Sequence, residues 1–144
     1  FAVTGLFENE VYEGMEKLLK NLNKLNYRLS VATSKPTVYA KQILDFFNLS
    51  KYFEVIVGSE LDGTRSAKGE VIAEVLKQMK IEKKDQCVMI GDRKHDLIGA
   101  SENGIDSIGV TYGYGSQQEL EDANATYIVH SVDSLSIIFG KEAK

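Results

Sequence analysis

Two spacings of apolar residues alternate along the chain. In five segments apolar side chains recur every three or four positions, which is the period of an amphipathic helix. These segments are 15–25, 38–47, 71–79, 97–100 and 135–139. Asn26, Asn48 and Gly104 stand after three of them and are residue types that commonly end helices. Ser116 begins a sixth predicted helix, because Glu119 three residues later completes the spacing of a capping box.

Short apolar runs lie between these helices. They contain many β-branched residues and occupy 29–33, 53–57, 87–90, 108–110 and 127–129. Strands that alternate with helices predict an α/β fold, with a mainly parallel sheet covered by helices on both faces. Residues 1–14 show neither spacing, so we expect a linker there and one domain over 15–144.

Composition narrows the class of protein. The 144 residues are 43% hydrophobic and 26% charged, with a net charge of −4, as in ordinary globular domains. Lys and Arg are scattered, which argues against a nucleic-acid surface, and the apolar runs are too short to span a membrane. The single Cys87 falls inside a predicted strand and indicates a buried thiol in a reducing cytoplasm. Because the first residue is Phe1 and no signal peptide is visible, we expect a trimmed chain.

Two carboxylates follow the strand at 87–90. Asp92 comes directly after Gly91, and Asp96 lies one helical turn further on. Side chains four residues apart share a helix face, and two carboxylates that face the same way favour a bound cation such as Mg²⁺. The alternative is purely structural: Asp92 caps the helix and Asp96 is a solvated first-turn residue.

Polar and glycine-rich segments follow the other strands as well. They are 33–35, 58–60 and 111–116, and they supply hydroxyls and backbone N–H groups. The C-terminal ends of parallel strands meet at one edge of the sheet, where ligands bind. This combination of donors and carboxylates suits a phosphate held with a cation.

The ordered set of motifs resembles the haloacid dehalogenase-like phosphatases, in particular the phosphoglycolate phosphatase-like branch. The resemblance is carried by the segments 31–36, 91–96 and 109–115 and by Lys68 at the start of a helix. Residues 12–14 are similar to the point where the chain of that family returns from a helical cap. The resemblance implies a Rossmann-like three-layer sandwich.

The resemblance also implies a role for each matching residue. Thr33 would bind a phosphate oxygen through its hydroxyl, aided by the Ser34 N–H, and Lys68 would neutralise the phosphate. Asp92 would bind Mg²⁺, and Asp96 would support the metal or orient Lys68. Lys68 and Asp92 are therefore the expected catalytic residues. Without the resemblance, Thr33 is as readily a helix cap and Lys68 a solvated side chain.

One motif of that family is absent from the sequence. Its members attack phosphorus with an Asp on a first strand, in an Asp-x-Asp-Gly-Thr segment. Residues 60–64 are similar to this segment, with Glu60 at its first position. They follow Thr33, however, whereas the family's segment precedes the matching Thr, and we interpret 62–63 as a turn. We therefore expect the first, mid-sheet strand and the cap to be missing. Either another segment fills the slot or its neighbouring strands pair directly; if their edges stay open, self-association is expected.

The predicted function is Mg²⁺-dependent hydrolysis of a small phosphorylated metabolite by the intact enzyme, with this chain inactive alone. The alternative is a non-catalytic phosphate- or metal-binding regulatory module. A receiver-type signalling domain fits the order of motifs poorly. A dinucleotide-binding domain is weaker still, because Gly109, Gly113 and Gly115 do not form Gly-x-Gly-x-x-Gly. The sequence does not select the substrate, and His95 is expected to be an exposed helix residue.

Overall fold

A computed structural model describes residues 2–5, 14–60 and 67–142, with backbone only for 2–5 and 140–142. Within these described ranges, six strands alternate with six helices. The strands are β1 (Ala2–Gly5), β2 (Arg28–Pro36), β3 (Val55–Ser59), β4 (Cys87–Gly91), β5 (Asp106–Val110) and β6 (Tyr127–Val129). The helices are α1 (Met15–Lys24), α2 (Thr37–Phe46), α3 (Lys68–Gln78), α4 (Lys94–Glu102), α5 (Gln117–Asp122) and α6 (Val132–Glu142). Two short 3-10 helices occupy Ser50–Tyr52 and Lys84–Gln86.

The strands form one parallel sheet in the order β3-β2-β1-β4-β5-β6. From β1 the chain proceeds outward to β2 and β3, and then crosses back to β4 on the other side. The order therefore reverses between β1 and β4, and in open α/β sheets a ligand crevice forms at such a point, beyond the C-terminal ends of the strands. The predicted α/β fold class is confirmed.

The central strand corrects the prediction for the start of the chain. Residues 1–14 are predicted as a linker, but Ala2–Gly5 forms β1 and fills the slot between β2 and β4. It pairs with β4 over four residues and with β2 over two. A central slot must be filled because the backbone groups on both sides need partners. Of the two expected alternatives, a segment that fills the slot is the one observed, because β1 pairs with both β2 and β4. Self-association was expected only if those edges stayed open, so it remains a prediction that this pairing does not support.

Side chains from the two faces of the sheet make two separate cores. In β4, Val88 and Ile90 pack on one face, whereas Cys87 and Met89 pack on the other, as the alternation of a strand requires. The first core includes buried residues of α1, α2 and α6: Met15, Leu18, Leu19, Leu22, Leu44, Leu135 and Phe139. The second includes residues of α3 and α4: Val71, Ile72, Val75, Leu76 and Ala100.

Most predicted boundaries lie within a few residues of the observed ones. Asn26, Asn48 and Gly104 have positive φ angles of 67°, 58° and 71°, so the predicted helix ends are confirmed. The strand predicted at 53–57 instead spans Val55–Ser59. The turn predicted at 62–63 lies outside the described residues. Among the described residues, no helix is long and apolar enough to cross a membrane.

Candidate functional site

Asp96 is the most deeply buried carboxylate of the site, with 2% of its surface exposed. Its Oδ2 accepts hydrogen bonds from the backbone N–H groups of Asp92 (3.1 Å) and Arg93 (3.2 Å). The N-terminal cap position of α4 is Arg93, not Asp92. The structural alternative of a capping Asp92 and a solvated Asp96 is therefore wrong. Gly91 permits this arrangement, since a Cβ atom there would lie 2.2 Å from the Asp96 Cβ.

Lys68 is the partner of Asp96. It is the first residue of α3, is 5% exposed, and places Nζ 2.5 Å from the Asp96 Oδ1. A solvated Lys68 is excluded by this burial. An ammonium and a carboxylate taken out of water need such a partner and further hydrogen bonds, which the two backbone donors to Oδ2 supply. Of the two roles implied for Asp96, this geometry directly supports orientation of Lys68.

Asp92 lies at the C-terminal end of β4 and is half-buried. Its Oδ2 accepts from the Tyr114 N–H (3.0 Å), and its main-chain oxygen accepts from the Gly115 N–H (2.8 Å). Its Oδ1 has no hydrogen-bond partner among the described residues. Gly113 allows this close contact, because a Cβ atom there would lie 2.4 Å from the Asp92 Oδ2. The glycine-rich segment after β5 thus fixes one oxygen of Asp92 and leaves the other available.

Thr33 and Ser34 lie on the opposite side of β1 from Asp92. The register aligns Arg28 with Ala2 and Ala2 with Cys87. The strands β2 and β4 are therefore two strand spacings, about 10 Å, apart, and β2 changes register between Ala32 and Pro36, where Thr33 lies. Thr33 is fully buried, whereas Ser34 is exposed.

The hydroxyl of Thr33 does not cap a helix. Its Oγ1 accepts from the Lys35 N–H at 3.2 Å, while α2 begins after Pro36 and has no side-chain cap. The bond to a residue two positions on is a local turn contact. The predicted capping role is therefore wrong, and the roles of Thr33 and Ser34 in phosphate binding stay predictions.

Sequence reasoning missed the partner of Glu119. Ser116 caps α5 as predicted, because its Oγ accepts from the Glu119 N–H at 3.1 Å. The Glu119 carboxylate meets the neighbouring loop, with Oε2 at 2.9 Å from both the Arg93 Nε and the Lys94 N. The hydrogen bond from Arg93, and then that from Lys94, hold the pKa of Glu119 below its ordinary value. The capping-box spacing located Glu119 but gave no information on this long-range contact.

Two histidines lie near this edge of the sheet, and the sequence predicted the environment of only one of them. His95 is exposed on α4, as predicted. His130 follows β6, and its Nδ1 lies 2.8 Å from the Thr111 Oγ1 after β5. No local motif indicates that second contact, because the two residues are 19 positions apart.

The donor set is compatible with Mg²⁺ but does not enclose it. Mg²⁺ is commonly held by one or two carboxylates, with waters and substrate phosphate oxygens completing six ligands. The available Oδ1 of Asp92 fits this pattern, whereas Asp96 already accepts from Lys68 and two backbone donors. Within the described ranges, no group of three or more His, Cys, Asp or Glu side chains could hold a metal ion.

Asp92 and the Lys68–Asp96 pair lie beside the switch point of the parallel sheet, the place between β1 and β4 where the strand order reverses. This is the arrangement of an α/β domain that binds a ligand beyond the C-terminal ends of its strands. The model of the haloacid dehalogenase-like hydrolase family matches residues 6–110. The chain belongs to this family, and the resemblance inferred from the motifs is confirmed.

Three relatives illustrate the range of named activities. The chain is 48% identical over 127 residues to a 5'-nucleotidase of Pseudomonas aeruginosa, covering 88% of this chain and 57% of that protein. It is 36% identical to the tyrosine-protein kinase PtkA of Mycobacterium tuberculosis, with 97% and 48% covered. It is 28% identical to a phosphoglycolate phosphatase of Colwellia psychrerythraea, with 90% and 57% covered. The chain therefore spans about half the length of these relatives.

A solved structure shows the same fold. The crystal structure of a predicted phosphatase from Clostridium acetobutylicum superposes with a TM-score of 0.88 at 52% identity, covering 92% of this chain and 61% of the other. The arrangement of strands and helices described above is thus shared with a protein of similar sequence.

Proposed function

We propose that this chain carries the phosphate- and metal-binding part of a Mg²⁺-dependent phosphomonoester hydrolase. The observation that carries the proposal is the buried Lys68–Asp96 pair beside Asp92, whose Oδ1 has no partner among the described residues. The position at the switch point of the sheet supports it, because ligands of such sheets bind there. The phosphatase and nucleotidase names of the relatives agree with this reaction class.

Each residue has a distinct part in the proposed site. Asp92 would hold Mg²⁺ through Oδ1, and Lys68, oriented by Asp96, would offset the charge of the phosphate. The Thr33 hydroxyl and the Ser34 N–H would bind phosphate oxygens from the far side of β1. Bound Mg²⁺ would supply electrostatic stabilisation of the phosphoryl oxygens.

The substrate class follows from the site chemistry and from the relatives. A small phosphorylated metabolite, such as phosphoglycolate or a nucleoside monophosphate, carries the phosphomonoester group that this proposed site would bind. The relatives include both a 5'-nucleotidase and a phosphoglycolate phosphatase. We therefore propose the phosphomonoester as the recognised group, and a cytoplasmic location as the setting for such a substrate.

A second candidate function is a non-catalytic phosphate- and metal-binding module. One observation favours it: the strand in the central slot is Ala-Val-Thr-Gly and carries no carboxylate. The family's reaction needs an Asp nucleophile on that strand, so we expect this chain alone to bind phosphate without turning over.

Titration calorimetry with Mg²⁺ and inorganic phosphate tests the site. We expect Mg²⁺ to bind, phosphate to bind more tightly in its presence, and Asp92→Asn to abolish both effects. Asp106→Asn is the matched control, because Asp106 is an exposed carboxylate at the start of β5, at the opposite edge of the sheet. Equal Mg²⁺ affinities of wild type and Asp92→Asn would refute the proposed metal site.

A hydrolysis assay separates the two candidates. A panel of phosphomonoesters is compared with and without Mg²⁺, using this chain and a longer protein that restores an upstream Asp-x-Asp-Gly-Thr segment. We expect Mg²⁺-dependent turnover only in the longer protein. Turnover by this chain at the rate of an intact enzyme would contradict the assignment of the missing nucleophile, and no turnover by the longer protein would favour the binding module.

A further inference from the structure

The Glu119 carboxylate joins α5 to the residues that directly follow Asp92 in the chain. Its Oε2 accepts from the Arg93 Nε and from the Lys94 N–H, each at 2.9 Å, and its Oε1 lies 3.4 Å from the Arg93 Nη2. Glu119 belongs to α5, 25 residues further along the chain than Lys94. This contact therefore joins the start of α4 to the element that follows the glycine-rich segment.

The contact satisfies a backbone donor that α4 cannot satisfy itself. The N–H of Lys94 is the first of the helix and has no partner within it. The cap residue Arg93 has no side-chain acceptor, so an oxygen must come from elsewhere. Glu119 supplies that oxygen from one side, while Asp96 accepts from the Arg93 N–H on the other. The segment 92–94 is thus held between two carboxylates.

The glycine-rich segment is part of the same cluster. Tyr114 and Gly115 donate their backbone N–H groups to Asp92. A Cβ atom at Gly115 would lie 2.2 Å from the Asp92 main-chain oxygen and 2.9 Å from the Glu119 Oε2. Glu119 and Asp92 are therefore packed against the same glycine, and a displacement of one segment changes the space available to the other.

We propose that Glu119 is a positioning residue, which holds the segment 92–94 against residues 114–115 and so fixes the direction of the Asp92 carboxylate toward Mg²⁺. The inference rests on the proposed function, since it takes Asp92 as the metal ligand. The hydrogen bonds from Arg93 and Lys94 favour the ionised form of Glu119, and so lower its pKa. An ionised carboxylate is the stronger acceptor for both donors.

Magnesium binding measured by calorimetry on the whole chain tests the proposal. We expect Glu119→Ala to weaken Mg²⁺ binding by about 10- to 100-fold, the range found when outer-shell partners of metal ligands are removed. Glu119→Gln keeps one oxygen acceptor and should restore part of the loss. Glu121→Ala is the matched control, because Glu121 lies on the same helix and is exposed, with a hydrogen bond to Gln117. Circular dichroism ensures that only folded variants are compared.

Amide hydrogen exchange provides a readout that needs no metal. We expect the Tyr114 and Gly115 amides to exchange faster in Glu119→Ala and at the wild-type rate in Glu121→Ala. Wild-type Mg²⁺ affinity in Glu119→Ala, or unchanged exchange at both amides, would overturn the proposal. If the wild-type chain binds no Mg²⁺, the proposed metal site is refuted. The proposal that Glu119 orients Asp92 toward Mg²⁺ is then refuted as well. The exchange rates then still decide whether Glu119 holds the two segments together.

Discussion

The Nζ of Lys68 lies 2.5 Å from the Oδ1 of Asp96, and the two side chains are only 2% and 3% exposed. The pair joins the first residue of α3 to the first turn of α4, and so fixes two helices that begin at the candidate site. Breaking a buried ion pair by removing one partner leaves an uncompensated charge, which is much costlier than replacing both partners.

Lys68→Met should lower the free energy of unfolding by about 3–5 kcal/mol, because the Asp96 carboxylate stays buried without its cation. Asp96→Leu should cost at least as much, since it removes the acceptor of two backbone N–H groups as well. Urea unfolding followed by circular dichroism measures both. In the double variant we expect a loss clearly smaller than the sum of the two single losses.

Lys77→Met is the control for this series, because Lys77 lies on the same helix and is exposed. Its effect should stay within about 0.5 kcal/mol. Additive losses in the Lys68→Met/Asp96→Leu variant would show that the two side chains are not energetically coupled.

Gly113→Ala should weaken Mg²⁺ binding at least about tenfold, because the new Cβ would lie 2.3 Å from the Asp92 Cβ and 2.4 Å from its Oδ2. Relief of this overlap requires the Asp92 side chain or the segment after β5 to move. Calorimetry with Mg²⁺ measures the loss, and urea unfolding shows whether the protein is also destabilised, for which about 1–3 kcal/mol is expected from overpacking.

Gly69→Ala is a suitable comparison for Gly113→Ala. The nearest atoms to a Cβ at Gly69 would belong to the end of the flexible Glu102 side chain, 3.0 Å away. We expect its Mg²⁺ affinity to equal that of wild type. If Gly113→Ala also binds Mg²⁺ like the wild type, close packing at Gly113 does not control the position of Asp92.

Most of the helices and strands could be predicted from the sequence, because their apolar residues follow a regular spacing. The buried faces of α1 and α3 follow helical spacing, and Asn26, Asn48 and Gly104 end helices through positive φ angles. β1 was missed because its four residues are too few to show a period, and two of them, Ala and Gly, are depleted in strands. They form a strand because β2 and β4 both need hydrogen-bond partners, which is a property of the assembled sheet.

The residues of the candidate site could be predicted from the sequence only where they belong to local motifs. Lys68, Asp92 and Asp96 stand at recognisable positions after strands or at helix starts, and the structure brings Lys68 and Asp96 together as one of the two implied roles requires. The contacts of Glu119 with Arg93 and of His130 with Thr111 join residues 26 and 19 positions apart. Spacing rules describe neighbours on one element and cannot select partners across loops.

Acid should destabilise the protein partly through Glu54. Arg28 donates through Nε and Nη2 to the two Glu54 oxygens, at 3.0 and 2.6 Å, and these bonds lower the pKa of Glu54 from 4.5. As the pH falls, Glu54 is therefore protonated in the unfolded chain before it is protonated in the folded protein. The stabilisation of the fold by this ion pair is complete above the ordinary pKa of Glu54, and it is lost as the pH falls through the lower pKa of the folded protein. We expect Glu54→Gln to flatten the fall in unfolding free energy between about pH 5 and pH 3.

Urea unfolding at a series of pH values measures this effect, and Arg28→Gln should flatten the same window because it removes the other partner. Arg28 begins β2, at the edge of the sheet opposite the candidate site, so Mg²⁺ affinity should be unchanged in both variants. An unaltered pH dependence in Glu54→Gln would show that the pair contributes nothing measurable, as is found for many exposed ion pairs.

Cys87 should react slowly with iodoacetamide in the native protein. The residue is 1% exposed in β4, and burial raises the pKa of its thiol, so both access and the thiolate fraction are low. At about pH 7.5 we expect labelling to follow transient opening of the sheet and to accelerate in urea. Cys87→Ala combined with Ser101→Cys provides an exposed thiol on α4 for comparison, detected by the same mass-spectrometric assay. Because Cys87 pairs with Ala2 across β1 and β4, native labelling as fast as at position 101 would mean that this part of the sheet is open in solution.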